Sequence, residues 1–271
     1  MPELPEVETT VRGIKSIESS VIEKIDIFNP NLRWPVPNDL PNFLSGKKIL
    51  SVHRRAKYII IKCSNAYLVI HLGMTGKLVF AKPSDTLKKH DHIQITFINN
   101  EQVIRYNDPR RFGSVHLVKD NLDDFKLLAD LGIEPLVFEF DGNYLFTKAR
   151  KRNVAIKTFI MNHHIVVGVG NIYASEALFL SGIRPSVSAC KVTRRKMEIL
   201  AKNIKHVLSV AIEKGGSTIS DFMNTKGEQG YFQIGHQVYN REDQPCNKCG
   251  AKIKKTIIGQ RSSFFCSTCQ R

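Results

Sequence analysis

The runs KYIIIK (Lys57 to Lys62), AYLVIHL (Ala66 to Leu72) and GKLVFA (Gly76 to Ala81) are rich in β-branched and aromatic residues and are separated by turn-forming residues. Such runs favour the pleated, half-buried environment of a β-sheet. Working outward, VIEKIDIF and KKILSV lie upstream, and HIQITFI, QVIRY and SVHLV lie downstream, so about eight strands are expected between Val21 and Val118. Their length and spacing predict a β-sandwich. Ahead of them, Val7, Val11 and Ile14 recur at helical spacing, with Glu6 and Glu8 in the early turns where a helix dipole favours negative charge.

Beyond the strands the pattern becomes helical. Met197, Leu200, Ile204, Val207 and Ala211 repeat at three- and four-residue steps between Thr193 and Lys214, and Gly215–Gly216 reads as a helix end. The fold class expected is therefore α+β in two domains. An N-terminal β-sandwich domain with its helix is expected over 1–130, and a linker containing Pro135 and Gly142 over 131–142. A helical module follows over 143–236, and a small terminal hairpin over 237–271.

The chain has 271 residues, long enough to bury a substantial core, with 40 Lys and Arg against 25 Asp and Glu. A formal net charge of +15 exceeds what solubility asks for and points to a polyanionic partner. A hydrophobic content of 42% excludes a disordered basic tail, so a folded scaffold displays the charge. The opening residues carry prolines and acids in place of a charged and apolar leader, and no long apolar run follows. A soluble cytoplasmic protein without membrane contact is expected.

Cys246, Cys249, Cys266 and Cys269 crowd the last 26 residues as two C-x-x-C pairs separated by sixteen residues. Two disulfides or a redox pair would use the same residues, but spacing and compartment favour one structural Zn²⁺. Four thiolates leave no open coordination position, so the metal is not expected to catalyse. Between the pairs, KIKKTII and SSFFC flank Gly259–Gln260–Arg261 as a hairpin. From residue 241 onward, seven Lys or Arg face two acids, which suits nucleic acid but also a solvated face or another partner.

At the other end, removal of Met1 would expose the secondary amine of Pro2 beside Glu3 and Glu6. An α-amine with an ordinary pKa of ~7.7–8.0 is partly neutral, hence nucleophilic, at physiological pH. The same residues also make a good first helical turn.

MPELPEVETT resembles the start of the formamidopyrimidine-DNA glycosylases, and the resemblance continues along the chain. RRAKY (54–58), HLGMTG (71–76), KHDH (89–92), DPRRFG (108–113), GVGNIYASEALF (168–179), EKGGST (213–218), GYFQ (230–233) and the C-x-x-C pairs with GQRSSFFC occur in that family's order. The resemblance implies a helix-two-turns-helix module, a β-hairpin zinc finger, and a bifunctional glycosylase and abasic-site lyase of base excision repair. Its substrate would be double-stranded DNA containing oxidised purines (8-oxoguanine, formamidopyrimidines) or abasic sites. The enzyme would act as a monomer at the bacterial nucleoid, with no catalytic cofactor.

By the same resemblance Pro2 is the nucleophile that forms a Schiff base, Glu3 the acid/base group, Lys57 the proton shuttle of β-elimination and Arg261 that of δ-elimination. Met74, Arg110 and Phe112 would fill the space left by a flipped-out nucleotide. His90, Arg152 and Asn171 would hold phosphates, and Glu6, Ser217, Thr218 and Tyr231 the extruded base. Read without the motif context, Met74 and Phe112 are core residues, Arg110 a surface charge and Lys57 a strand-edge lysine.

His163 and His164 depart from the family pattern, and Arg152 stands where lysine is common. Two other functions fit many of the same motifs: an endonuclease VIII-like enzyme for oxidised pyrimidines, and a non-catalytic zinc-finger nucleic-acid binder. The PELPEV opening favours the purine branch, and a silent binder would be expected to lack an intact Pro2, Glu3 and Lys57 set.

Overall fold

In the computed structural model, residues 2–119, 121–216 and 235–271 are described. Two compact units divide them. The first runs to Ala129 and regains the chain at Gly215, and the second holds Asp130–Lys214 and the C-terminal segment.

The first unit opens with α1 (Leu4–Ile14), whose Pro5 sits in the first turn, where a missing N–H costs nothing. The eight expected strands are all present: β1 (Ile22–Ile27), β2 (Ile49–Arg55), β3 (Tyr58–Cys63), β4 (Ala66–His71), β5 (Lys77–Ala81), β6 (Asp91–Phe97), β7 (Val103–Asn107) and β8 (Ser114–Val118). They form two antiparallel four-stranded sheets, in the orders β1-β6-β7-β5 and β2-β3-β4-β8. Ile25, Ile93, Ile95 and Ile104 of the first sheet share one core with Ile59, Ile61, Leu68 and Ile70 of the second. Val7, Val11 and Ile14 of α1 join that core. Two short helices, α2 (Leu40–Leu44) and α3 (Lys126–Ala129), carry too few residues for a periodic signal and were not foreseen.

The second unit comprises α4 (Gly142–Ala149), α5 (Ile156–Ile160), α6 (Asn171–Leu180), α7 (Arg194–Glu213), β9 (Ile253–Ile258) and β10 (Arg261–Cys266). Met197, Leu200, Ile204 and Ala211 of α7 are buried as their spacing required, whereas Val207 is half-buried. Every residue of α6 from Ile172 to Phe179 is buried, which periodicity cannot reveal because no face is polar. The stretch 131–142 falls within this unit. Gly132 N–H donates to the His163 carbonyl, and Ile133 forms a parallel bridge with Val166.

Candidate functional site

Pro2 and Glu3 are buried at the start of α1, and the Glu3 amide donates to Glu6 Oε2 at 2.8 Å. Glu6 is itself 1% exposed. This bond satisfies one of the orphan donors of the helix start and holds the chain's beginning in one geometry. Gly216 lies against Glu6, since a Cβ placed there would fall 3.3 Å from Glu6 Cγ.

Lys57 sits at the β2–β3 turn, where Arg55 pairs with Tyr58 and Ala56 takes a positive φ of 54°. Arg54 ties this turn to α1, because its Nη1 donates to the Ala56 carbonyl and its Nε pairs with Glu8 at 3.1 Å. The helix that begins just after Pro2 and the turn carrying Lys57 are thereby joined.

Met74, Arg110 and Phe112 stand on two loops that interlock around Asp108, which is fully buried. Asp108 Oδ1 accepts from Thr75 Oγ1 at 2.6 Å, and its Oδ2 accepts from Tyr106 Oη at 3.2 Å and Gly113 N–H at 2.9 Å. The Asp108 carbonyl also meets His92 Nε2 at 2.8 Å. The loops approach too closely for side chains at two positions. A Cβ on Gly73 would lie 2.4 Å from Gly113 N, and one on Gly113 would lie 1.8 Å from Tyr106 Oη. What protrudes is an exposed Phe112 with the Arg110 guanidinium 4.6 Å from its ring centre. A cation over an aromatic face is held in place yet keeps its donors outward.

His71 supports the same loop by accepting the Gly73 N–H on Nδ1 at 3.1 Å, which requires an unprotonated nitrogen. Burial, with Lys57 and Arg33 nearby, lowers its pKa to about 4, so the ring is neutral at physiological pH. Burial, and then the Asp108 charge, push the Tyr106 hydroxyl upward, so it remains a donor to Asp108. The half-buried His90 lies within the Lys88–Asp91 turn, closed by Lys88 N–H donating to Asp91 Oδ2, and its carbonyl accepts from the Asp108 amide.

In the second unit, Ile258 pairs with Arg261 across a two-residue turn in which Gly259 and Gln260 have φ of 55° and 59°. This is the twist-matched hairpin geometry, and it leaves Arg261 exposed just past the tip. Three side chains seat the hairpin on the helices. Asn171 Nδ2, at the start of α6, donates to the Ser262 carbonyl at 3.0 Å. Lys157, 1% exposed, donates to the same carbonyl at 3.0 Å and to Ser263 Oγ at 2.8 Å. Glu176 of α6 accepts the backbone N–H groups of Gln237, Val238 and Tyr239 at 2.8, 3.0 and 2.9 Å.

The four cysteine sulfurs lie within 4.8 Å of one another, with Cys249 and Cys266 at 3.5 Å and Cys246 and Cys269 at 4.0 Å, and none is in a disulfide. Tetrahedral thiolate ligands at ~2.3 Å from a metal would be ~3.8 Å apart, so the cluster fits a metal ion. Among the described residues, no other group of three or more His, Cys, Asp or Glu converges in this way.

Of the expected site residues, Pro2, Glu3 and Glu6 cluster with one another, Met74, Arg110 and Phe112 share the Asp108 loops, and Asn171 meets the hairpin of Arg261. Arg152 is exposed on the loop after α4. Ser217, Thr218 and Tyr231 lie outside the described residues. Asp108, Lys157 and Glu176 were missed. Asp108 stood inside the quoted DPRRFG motif, and the single acid of GVGNIYASEALF is Glu176, so those two had a signal, whereas Lys157 had none.

The architecture is that of a two-unit α+β protein, a β-sandwich followed by a helical unit that seats a four-cysteine hairpin. Residues 1–115 match the formamidopyrimidine-DNA glycosylase N-terminal domain, residues 131–223 the H2TH domain of those enzymes, and residues 243–271 the zinc finger found in FPG and IleRS. A curated formamidopyrimidine-DNA glycosylase of Pasteurella multocida is 48% identical, over all of both chains. Lactococcus lactis FPG, solved with Fapy-dG-containing DNA, superposes with a TM-score of 0.90 at 33% identity, over 99% of this chain and all of that one. The same organism's Fpg, solved with abasic-site DNA, also gives 0.90 at 33% identity, over 99% of each chain. The chain belongs to the formamidopyrimidine-DNA glycosylase family.

Proposed function

We infer that this protein is a bifunctional DNA glycosylase and abasic-site lyase that removes oxidised purines from double-stranded DNA. The observation that carries this is full-length likeness to relatives solved on Fapy-dG and abasic-site DNA, combined with a buried Pro2–Glu3–Glu6 cluster.

A base within the duplex stack is out of reach, so the nucleotide is first extruded, and Met74, Arg110 and Phe112 fill the gap. The rigid Asp108 loops support that role, because a wedge that yields would not offset unstacking. With Met1 removed, the Pro2 nitrogen attacks C1′, a bond from nitrogen to carbon forms, and the glycosidic bond breaks with its electron pair leaving on the base. The nitrogen then loses its proton, its lone pair opens the C1′–O4′ bond, and Glu3 protonates the departing O4′, which leaves an iminium between Pro2 and C1′. The resulting iminium acidifies the C2′ proton, whose removal expels the 3′ phosphate. A second elimination expels the 5′ phosphate. Lys57 serves the first elimination and Arg261 the second, since cations stabilise departing phosphates. His90, Arg152 and Asn171 hold the backbone, and Glu6, Ser217, Thr218 and Tyr231 hold the extruded base.

The metal is Zn²⁺, held by Cys246, Cys249, Cys266 and Cys269, and its contribution is to lock the hairpin. No helix among the described residues is long and apolar enough to cross a membrane. The same reading makes the protein a monomer acting on cytoplasmic, nucleoid DNA.

Borohydride reduction with a duplex carrying 8-oxoguanine opposite cytosine should trap a covalent protein–DNA species, and Pro2→Gly should abolish it. Folded protein that gives no trapped species would defeat the proposal. Faster processing of thymine glycol than of 8-oxoguanine would move the substrate preference to the pyrimidine branch.

A further inference from the structure

Part of the second unit's charge lies outside every role assigned above. Phe146 of α4, half-buried, is met by two guanidinium groups, with Arg150 Cζ 4.9 Å and Arg194 Cζ 5.0 Å from its ring centre. The two arginines therefore lie within about 10 Å of each other, on a shared packing contact.

They are brought together by the antiparallel crossing of α4 and α7. Gly142 has no room for a side chain against Glu198, and one turn further along α4 Phe146 meets Arg194, one turn back along α7. The loop after α4 is fastened alongside, because the Arg152 carbonyl accepts the Cys190 N–H and the Val154 carbonyl accepts the Ala189 N–H. Arg150, Lys151, Arg152, Lys191, Arg194 and Arg195 thus form one exposed basic ridge. Among the described residues, none of the six has an acidic partner within ion-pair distance.

Fold stability does not explain the ridge. Arg194 and Arg195 occupy the first turn of a helix, where the dipole disfavours positive charge, and the six cations repel one another. Four of the six are arginines, whose planar forks suit phosphate oxygens, and stacking on Phe146 pre-orients two of them. The ridge is continuous with Arg152. It also lies at the start of α7, about 30 Å along the axis from the helix end at Glu213.

We propose that this ridge is an accessory contact for the phosphate backbone of duplex DNA flanking the lesion, raising affinity for undamaged DNA without taking part in the chemistry. It rests on the glycosylase reading given above. The partner is duplex DNA because the ridge runs into the residue assigned to hold that backbone.

The test is the combined variant Arg150→Gln, Arg194→Gln and Arg195→Gln, which leaves Arg152 in place, with an Arg→Lys version at the same positions as control. Binding to a long undamaged duplex is measured across a salt series. Each lost phosphate contact removes about 0.9 from the slope of log K against log salt, so the glutamine variant should lose about 2 to 3. Its affinity at low salt should drop by about tenfold or more, while the lysine variant stays near the parent. The yield of borohydride-trapped species on a short lesion duplex at saturating protein should match the parent. An unchanged salt slope in the folded variant overturns the proposal, as does a slope change seen with double-stranded RNA and not with DNA. If the parent itself gives no trapped species, the glycosylase reading fails, whatever the ridge does.

Discussion

The Asp108 loops and the four-cysteine hairpin solve one problem by opposite means. Each holds exposed side chains, Arg110 and Phe112 in one case and Arg261 in the other, on a backbone fastened from beneath. In the first, a fully buried carboxylate gathers donors from three loop and strand positions, and two glycines let the loops touch. In the second the hairpin has a small core of Val238, Ile253, Phe264 and Phe179, and its geometry depends on the sulfur cluster and on Glu176, Lys157 and Asn171. A site inside a large core can be organised by hydrogen bonds alone. A 35-residue appendage has too little apolar surface for that and uses a metal ion.

Removing the metal should have the largest effect. Binding free energies of structural zinc sites run to ~10–16 kcal/mol, more than a small hairpin can replace. Chelation, or Cys266→Ser, should open residues 235–271 to limited proteolysis while fragments covering the β-sandwich survive. Equal loss of both would show that the two regions do not differ as described.

Next is Asp108→Ala, which strands the Thr75, Tyr106 and Gly113 donors in a buried site. A cost of roughly 3–5 kcal/mol is expected in denaturant unfolding, larger than for Asp108→Asn, which keeps an acceptor. Metal content should stay at the parent's level. A shift under about 1 kcal/mol would mean that the loops are held by something else.

The smallest effect is the pH dependence contributed by His71. Its pKa is about 4 in the folded protein against an ordinary 6.5, so the unfolded chain takes up a proton that the folded chain refuses. The stability contribution is intact above pH ~6.5 and is lost as pH falls toward ~4, by at most about 3 kcal/mol because the ring keeps some exposure. His53 and His116 are lowered in the same direction, mainly by burial, so the slope is shared. His71→Gln, which can still accept from Gly73, should flatten part of the acid limb of a stability profile. An unchanged limb would remove His71 from the loop's support.

Strands, the long helix and the metal site were legible because their signals are local. The β-branched and aromatic runs of β3 and β4, the stripe from Met197 to Ala211 and the C-x-x-C spacing each depend on residues a few positions apart. The motif resemblance also pointed to Pro2, Glu3, Arg110, Phe112 and Arg261. What it did not indicate is how those residues are held. Thr75 and Asp108 are 33 positions apart, and Lys157 and Ser263 are 106 apart. A lysine in AIKTF looks like any solvated lysine until the fold buries it.

Composition and spacing by themselves determined that this is a basic, two-part α+β chain with a sulfur-bound metal hairpin, because propensity, periodicity and ligand count act over short stretches. Only the tertiary structure decided that Asp108, Glu176 and Lys157 are the fasteners, and that Arg150 and Arg194 meet one phenylalanine. Those pairings arise where distant segments are packed together and buried polar groups must find partners, a condition the linear order of residues does not contain.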